Sequence, residues 1–313
     1  MTNFMHSQAD KINPLESYDI MEKLSSSKFM VYKGYNNNTK QVVALKFFEF
    51  QDYPSDRYWN EKEILERLQH PNVLKIIESG DYAMDKTSWQ EKHVSYICFE
   101  YAHHGDLFKI ISNQGKMSEI IARTIFHQLV EAVEYLHKND LAHLDLKLDN
   151  ILVNQEFQIK VCDFDLSQSL DSKILKARGT PGSRAPEIKK GICCNLQAAD
   201  IYSLGTILFI LLSGRPAYNE VKKIYGFEFD EFYKLMRINF EEFWETHSKN
   251  EENVNFKNPD LKELIHGMLI EEPLQRFTFE EIKNSKWFQG PVLDEKAFQA
   301  QMKEYMKPKL NQE

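Results

Sequence analysis

The stretch HLDLKLDN, residues 143–150, decides the fold of this 313-residue chain. It places a carboxylate at Asp145, an amine at Lys147 and an amide at Asn150, and a second carboxylate follows in the pair Asp163-Phe164. An Asp-x-Lys-x-x-Asn pattern alone is a weak signal, because short patterns recur by chance. Further motifs surround it in order along the chain: Val43-Ala44-Leu45-Lys46, Glu61 within NEKEIL, FEYAHHGDLF at 99–108, Ala185-Pro186-Glu187, DIYSLG at 200–205, and Arg276.

In this order the motifs resemble those of the eukaryotic protein kinase family, over about residues 17–288. The resemblance implies an α+β fold of two lobes, with a β-rich N-lobe at about 17–99 and a mainly helical C-lobe at about 105–288. Residues 1–16 would then be an N-terminal extension and residues 289–313 a C-terminal tail. The implied activity is transfer of the γ-phosphate of Mg·ATP to hydroxyl groups of a protein substrate.

Composition and charge exclude several other classes of protein. Acidic residues outnumber basic residues by 47 to 39, and the formal charge of −8 argues against nucleic acid as the main partner. The N-terminus has no basic segment followed by an apolar one, and the longest apolar run, 201–212, is too short to cross a bilayer. We therefore expect no membrane insertion. The four cysteines avoid metal-binding spacings, which favours a reducing compartment. We therefore expect a cytoplasmic location, with the nucleus as the alternative.

Hydrophobic periodicity predicts the elements of each lobe. The N-lobe is expected to be an antiparallel meander interrupted by one helix at about Ser55–Leu68. In the C-lobe, the patterns at 119–137 and 198–212 predict an amphipathic helix and a buried helix. The acidic stretch Glu241–Asn253 is expected to be a surface insertion, and the tail from Gly290 onward is expected to be loosely held.

The resemblance implies that three side chains act on the substrate hydroxyl. Asp145 would orient the hydroxyl and accept its proton, and Lys147 would steady the transferring phosphate. Thr180 would hydrogen-bond between these two residues. Tyrosine-specific members of the family usually carry Ala or Arg in place of the lysine, so Lys147 together with Thr180 indicates the serine/threonine type.

The resemblance also implies a set of ATP and Mg²⁺ contacts. Lys46 would bind the α- and β-phosphates while Glu61 holds its ammonium, and Asp163 and Asn150 would offer oxygens to Mg²⁺. The other predicted contacts with ATP are Ser25, Ser26 and Ser27 in the phosphate-covering loop, Ala44 and Leu152 around the adenine, Glu100 and Ala102 at the purine edge, and Asp106 at the ribose. Asp106 could instead accept from a basic side chain of the substrate. Glu187 and Arg276 are expected to form a buried ion pair, and Asp200 is expected to bind backbone groups of the catalytic loop.

Three departures from the family pattern affect activity and regulation. The phosphate-covering loop, LSSSKFM at 24–30, contains no glycine, which predicts weaker ATP binding. Leu144 replaces the arginine that receives an activation-loop phosphate, and Lys176 stands where the phosphate acceptor is expected. Because both halves of that switch are missing, we expect activity without activation-loop phosphorylation. Asp165 stands in place of the glycine after Asp163-Phe164.

Several alternatives remain open at this point. The glycine-free loop and Asp165 would also suit a pseudokinase that serves as a scaffold and binds nucleotide weakly, and a small-molecule kinase of related fold is a third possibility. Within the family, PLQRFTFEEIKNSKWF resembles the calcium/calmodulin-dependent and AMP-activated-like branch. Residues 292–313 could form an amphipathic helix through Phe298, Met302 and Met306 that takes a calmodulin-like partner, or they could be a fraying tail.

Overall fold

The computed structural model describes residues 14–24, 30–50, 54–85, 92–174, 176–193, 195–223, 226–248 and 254–308. The chain divides into two compact units. The first unit is made of residues up to Gln69 and Leu74–Tyr101, and the second of His70–Val73 and everything from Ala102 onward. The short segment His70–Val73 belongs to the second unit because Asn72 Nδ2 donates to Gln128 Oε1 and to the Ile159 carbonyl, both at 3.0 Å.

In its described residues, the first unit has a five-stranded antiparallel sheet, one α-helix and a short 3-10 helix at Pro14–Ser17. Its elements are β1 Tyr18–Lys23, β2 Met30–Asn36, β3 Gln41–Glu49, helix α1 Asp56–Arg67, β4 Ile76–Asp85 and β5 Lys92–Glu100. The helix agrees with the predicted range, and it begins where the Ser55 hydroxyl accepts the Tyr58 N–H at 3.3 Å.

The prediction of a simple meander is wrong for the last two strands. In a meander β4 would pair with β3, but the strand order is β1-β2-β3-β5-β4. Strand β5 pairs with β3 on one side and with β4 on the other, so β4 is an edge strand. Burial explains this exchange, because most of β5 is buried while β4 is largely exposed along its first seven residues. A strand that is apolar on both faces is stabilised most by a central position.

The second unit is mainly helical, as predicted. Its helices are α2 Leu107–Gln114, α3 Glu119–Lys138, α4 Pro186–Lys190, α5 Leu196–Ser213, α6 Glu231–Ile238, α7 Phe240–Ser248, α8 Pro259–Leu269, α9 Phe279–Asn284 and α10 Glu295–Tyr305. The described residues of this unit also form three two-stranded ribbons: β6 Leu141–Ala142 with β9 Gln168–Ser169, β7 Ile151–Val153 with β8 Ile159–Val161, and β10 Glu220–Lys223 with β11 Gly226–Phe229. The two units together confirm the α+β fold class.

Helix α5 forms the centre of the second unit and packs against α3 and α8. Among the described residues, it is the one helix whose length and composition would also suit a membrane span, but 89% of it is buried inside the protein. Nearly complete burial is typical of a core helix, and it confirms the prediction of a buried helix over 201–212.

The prediction of a surface insertion at Glu241–Asn253 is wrong for its first part. Residues up to Ser248 belong to α7, and Phe243 and Trp244 are both 0% exposed. Their rings lie 5.8 and 5.7 Å from the ring of Phe209 in α5. The acidic residues of this stretch share a helix with two large apolar side chains, which bury that helix. Residues 249–253 lie outside the described residues.

The prediction of a loosely held tail is also wrong for the described residues. Arg123 of α3 donates from Nε to the Trp287 carbonyl at 2.7 Å and from Nη1 to the Pro291 carbonyl at 3.1 Å. Beyond this anchor, α10 packs on α3 and buries Phe298 and Met302. The Tyr305 hydroxyl donates to the Gly115 carbonyl at the end of α2. The tail up to residue 306 is therefore part of the second unit.

This docking of α10 predicts a measurable loss of stability in a core variant. Met302 is 0% exposed, so Met302→Ala should lower the free energy of unfolding by about 2–5 kcal/mol in urea denaturation. Gln301→Ala, its exposed neighbour, is the matched control and should change it by about 0.5 kcal/mol or less. Equal unfolding free energies for the two variants would contradict the docking of α10.

Candidate active site

The catalytic loop, residues 143–150, is held in place by one buried carboxylate. Asp200 of α5 is 0% exposed, and its two oxygens accept the N–H groups of His143 and Leu144, each at 2.8 Å. The prediction that Asp200 binds backbone groups of this loop is therefore confirmed. Leu144 has φ = 64°, a left-handed conformation that costs a branched residue free energy. Asp200 supplies the contact that holds this strained backbone in place.

Asp145 lies at the centre of a compact hydrogen-bonded group. Its Oδ1 accepts the Thr180 hydroxyl at 2.7 Å and the Thr180 N–H at 2.9 Å. Its Oδ2 accepts Lys147 Nζ at 2.8 Å and Asn150 Nδ2 at 3.2 Å. Lys147 Nζ also donates to Thr180 Oγ1 at 2.7 Å, which places Thr180 between the other two as predicted. The structure thus brings together all three residues predicted to act on the substrate hydroxyl.

Asn150 and Asp163, the predicted Mg²⁺ ligands, come from two segments that are bonded to each other. The Cys162 N–H donates to the Asn150 carbonyl at 3.0 Å, and the next residue, Asp163, has φ = 66°. The Asn150 amide nitrogen is used by Asp145, which leaves its Oδ1 as the end suited to a cation.

The donor set of these two residues fits Mg²⁺. No group of three or more His, Cys, Asp or Glu side chains suited to a metal occurs among the described residues. Mg²⁺ does not require such a group, because it is commonly held by one or two carboxylates together with substrate phosphates and water. One carboxylate, from Asp163, and one amide oxygen, from Asn150, agree with that mode of binding.

Within the first unit, Lys46 and Glu61 form the predicted ion pair. Lys46 Nζ of β3 lies 2.5 Å from Glu61 Oε2 of α1, and the two side chains are only 7% and 2% exposed. A buried pair of this kind fixes the ammonium in one position, because an unpaired buried charge would be costly. The geometry of the pair is confirmed, and its contact with ATP phosphates stays a prediction.

The predicted adenine and ribose contacts are divided between the two units. In the first unit, Ala44 of β3 pairs with Phe99 of β5 in the strand register. Glu100 follows Phe99 in β5, and its Oε1 accepts the Lys75 N–H at 2.9 Å. In the second unit, Asp106 forms a β-bridge with Leu152, and Ala102 lies just before it. Ser25, Ser26 and Ser27 lie outside the described residues.

Asp106 also has a structural role that the sequence did not reveal. Its Oδ1 caps α2 by accepting the Lys109 N–H at 2.8 Å. Ahead of it, His104 stacks on Phe157 with ring centroids 4.2 Å apart, and burial lowers the pKa of its imidazole, which favours the neutral form. The segment 102–106 is therefore fixed to the β7–β8 ribbon by contacts of its own.

A second buried ion pair supports the segment that follows Thr180. Arg276 donates from Nη1 to Glu187 Oε1 at 2.7 Å and from Nη2 to Glu187 Oε2 at 3.1 Å. The same guanidinium donates to the carbonyls of Ala198, Ile270 and Glu271. The predicted pair between Glu187 and Arg276 is confirmed, and it links the Ala185-Pro186-Glu187 motif to α5 and to the loop after α8.

Comparison with known proteins decides the family. The model of the protein kinase domain matches residues 18–288, which is most of the chain. The chain belongs to the protein kinase family. Family members use ATP and Mg²⁺ for phosphoryl transfer, in agreement with the donor set at Asn150 and Asp163.

Three curated kinases illustrate how far the similarity extends. CBL-interacting protein kinase 11 of Oryza sativa subsp. japonica is 31% identical over 285 residues, covering 88% of this chain and 52% of the relative. Testis-specific serine/threonine-protein kinase 1 of Homo sapiens is 32% identical over 275 residues, covering 83% and 68%. Serine/threonine-protein kinase SRK2D of Arabidopsis thaliana is 29% identical over 302 residues, covering 94% and 78%. The chain therefore spans about half the length of the rice relative.

Two further features of this kinase chain were missed by sequence reasoning. His137 of α3 lies 2.9 Å from Asp200 Oδ2 and adds a side-chain contact to the carboxylate that holds the catalytic loop. Arg184 and Glu220 form a buried ion pair beside Thr180. No sequence signal could have found the second pair, because its members are 36 positions apart and belong to no motif.

Proposed function

We propose that this chain is a serine/threonine protein kinase that transfers the γ-phosphate of Mg·ATP to protein hydroxyls. The observation that carries the proposal is the hydrogen-bonded group of Asp145, Lys147, Thr180 and Asn150. A carboxylate surrounded by donors stays an acceptor and is held in one orientation, which is what positioning a hydroxyl requires. The buried pair of Lys46 and Glu61 supplies a fixed cation for phosphate oxygens.

Each of the proposed site residues has a separate role in the phosphoryl transfer. Asp145 orients the attacking hydroxyl and accepts its proton, while Lys147 lies 2.8 Å from the same carboxylate and places positive charge beside the transferring group. Lys46 binds phosphate oxygens, and Asn150 and Asp163 hold the metal. Mg²⁺, when bound, neutralises charge on the phosphate oxygens.

Lys147 and Thr180 support a preference for serine and threonine. The two side chains bond to each other at 2.7 Å and both bond to Asp145, so they occupy the space next to the proposed base. The human and Arabidopsis relatives are both named serine/threonine-protein kinases. Assignment to the calcium/calmodulin-dependent-like branch stays a prediction.

A pseudokinase scaffold is the second candidate, favoured by the glycine-free stretch LSSSKFM at 24–30. The two functions are separated by incubating the purified chain with Mg·ATP and a peptide library, and by locating phosphate on the products with mass spectrometry. Phosphoserine and phosphothreonine in the library peptides support the kinase. Binding of ATP without any phosphopeptide supports the scaffold, and phosphotyrosine alone contradicts the proposed specificity.

A cytoplasmic location and a calmodulin-like partner for the tail remain proposals. Among the described cysteines, Cys98, Cys162 and Cys193 form no disulfide, which agrees with a reducing compartment. The apolar side chains of Phe298 and Met302 are buried within the second unit, so a partner could bind that face of α10 only after the helix detaches.

We also propose that activity does not require phosphate on the activation segment. Ile174 is 1% exposed and exchanges two backbone hydrogen bonds with Cys193, of 3.0 and 3.1 Å. Leu144, in place of the phosphate-binding arginine, is 5% exposed, whereas Lys176 is exposed. These contacts order the segment by packing and backbone pairing.

A phosphatase experiment tests this independence. Protein produced in bacteria and treated with phosphatase should keep most of its initial rate toward a serine peptide, because Leu144 and Lys176 replace the arginine and the phosphate acceptor of the usual switch. A fall of about tenfold or more, equivalent to roughly 1.4 kcal/mol of transition-state stabilisation, would contradict the proposal if Ser172→Ala reproduced it.

A further inference from the structure

Arg184 and Glu220 form a buried, two-bond ion pair that none of the motifs includes. Arg184 Nη2 donates to Glu220 Oε2 at 2.8 Å, and Nε donates to Oε1 at 3.2 Å. The side chains are 9% and 0% exposed. Parallel bonds between a guanidinium and a carboxylate fix orientation as well as distance, so this pair is a rigid connection between two segments.

One end of the pair is a tight turn formed by residues 179–184, here called the Thr180 turn. The N–H groups of Ser183 and Arg184 both donate to the Thr180 carbonyl, at 3.2 and 3.1 Å. Glu220 Oε1 also accepts the Gly182 N–H at 3.2 Å, and Arg184 Nη1 donates to the Arg178 carbonyl at 3.3 Å. The ion pair therefore binds the turn at its middle, at its end and at the residue before it.

The other end of the pair is anchored in a fixed part of the second unit. Glu220 begins β10, and its neighbour Asn219 exchanges backbone and side-chain bonds with Asp230, at 3.0 and 2.8 Å. Asp230 in turn caps α6 by accepting the Tyr233 N–H. Glu220 therefore lies on a segment that has contacts of its own, independent of the turn.

The Thr180 turn supplies half of the donors to the Asp145 carboxylate. The Thr180 N–H and hydroxyl both reach Asp145 Oδ1, and Thr180 Oγ1 also accepts from Lys147. Movement of the turn by about 1 Å would break these bonds, since hydrogen bonds weaken steeply outside a narrow range of distance and angle. The orientation of the proposed base thus depends on what holds the turn.

We propose that Arg184 and Glu220 are positioning residues, whose ion pair holds the Thr180 turn against Asp145 and takes the place of a phosphate on the activation segment. The proposal rests on the proposed kinase function. The ion pair gives the activation segment a charge-assisted contact, which Leu144 and Lys176 do not provide. The proposal also predicts that the pair affects transfer to the hydroxyl and leaves nucleotide binding unaffected.

Two variants and a matched control test the proposal. Glu220→Gln keeps the shape of the side chain and removes its charge, and Arg184→Met removes the guanidinium. Arg123→Met is the control, because Arg123 is also a buried arginine bonded to a carboxylate, Glu119, and to backbone carbonyls. Arg123 holds the tail and does not contact the Thr180 turn, so its loss should lower stability without affecting the turn.

Three measurements are made on each variant of the 313-residue chain. They are hydrogen exchange at the Thr180 amide by mass spectrometry, the Kd and stoichiometry of Mg·ATP binding, and kcat with a serine peptide. In Glu220→Gln and Arg184→Met, Thr180 should exchange about tenfold faster and kcat should fall about tenfold, with Mg·ATP binding unchanged. Unchanged stoichiometry excludes loss of folded protein as the cause of the lower kcat.

The possible outcomes are distinct. Unchanged exchange at Thr180 would overturn the proposal, and so would faster exchange with an unchanged kcat, or an equal effect in Arg123→Met. If Arg184→Met does not fold, Glu220→Gln carries the test alone. If the wild-type chain transfers no phosphate, the proposed function fails, and hydrogen exchange still decides whether the ion pair holds the turn.

Discussion

Asp145→Asn should lower kcat for peptide phosphorylation by about 10²–10⁴-fold, the usual contribution of a positioned general base. An amide cannot take the proton of the substrate hydroxyl. Four donors from Thr180, Lys147 and Asn150 converge on the two oxygens of Asp145. An NH₂ group in place of either oxygen would face donors, so we also expect a loss of about 1–3 kcal/mol in stability. Stopped assays give the rate, and thermal unfolding gives the stability.

Nucleotide binding distinguishes this variant from a variant of Lys46. Asp145→Asn should bind Mg·ATP nearly as tightly as the wild type, whereas Lys46→Met should lose both transfer and correct nucleotide binding, because Glu61 is then left buried without its cation. Lys62→Met is a matched control in the first unit, since Lys62 forms a more exposed pair with Asp81. An unchanged rate in Asp145→Asn protein would show that Asp145 is not the base.

Arg276→Met should be among the most destabilising single substitutions in the second unit. The substitution leaves the Glu187 carboxylate buried without its partner. It also removes the guanidinium that donates hydrogen bonds to three backbone carbonyls. The free energy of unfolding should therefore fall by about 3–5 kcal/mol. Chemical denaturation measures the loss. Lys190→Met breaks an ion pair with Glu271 whose lysine is 66% exposed, and it should cost about 1 kcal/mol or less.

The test compares the losses in free energy of unfolding of these two variants. Similar losses of stability in Arg276→Met and Lys190→Met would contradict the buried pair. If Arg276→Met cannot be purified as folded protein, Glu187→Gln replaces it, because this change keeps the size of the side chain and removes the charge. A loss below about 1 kcal/mol in Glu187→Gln would also contradict the role of the pair.

The catalytic loop could be predicted from sequence because its residues lie close together and their types are set by chemistry. Asp145, Lys147 and Asn150 belong to one eight-residue stretch, and the structure joins them as expected. Two helices of the second unit were predicted for the same reason, since α3 shows its buried face as a helical repeat of apolar residues and α5 is apolar nearly all round.

Other features depend on contacts between distant segments and could not be predicted. The edge position of β4 follows from competition with β5 for the centre of the sheet, and neither strand alone reveals it. The apolar residues of α7 were obscured by their acidic neighbours, although Phe243 and Trp244 are fully buried. The pair of Arg184 and Glu220 links two segments that have no recognisable pattern.

Helix α10 lies beyond the end of the family match, but it belongs to the second folded unit. The family match ends at residue 288, yet Arg123, Thr124 and Gly115 find hydrogen-bond partners beyond it, at Pro291, Leu293 and Tyr305. A recombinant fragment trimmed to the boundary of the match would expose apolar surface on α3 and remove these partners. A recombinant fragment that keeps these contacts therefore has to extend at least to Met306, the residue that caps α10.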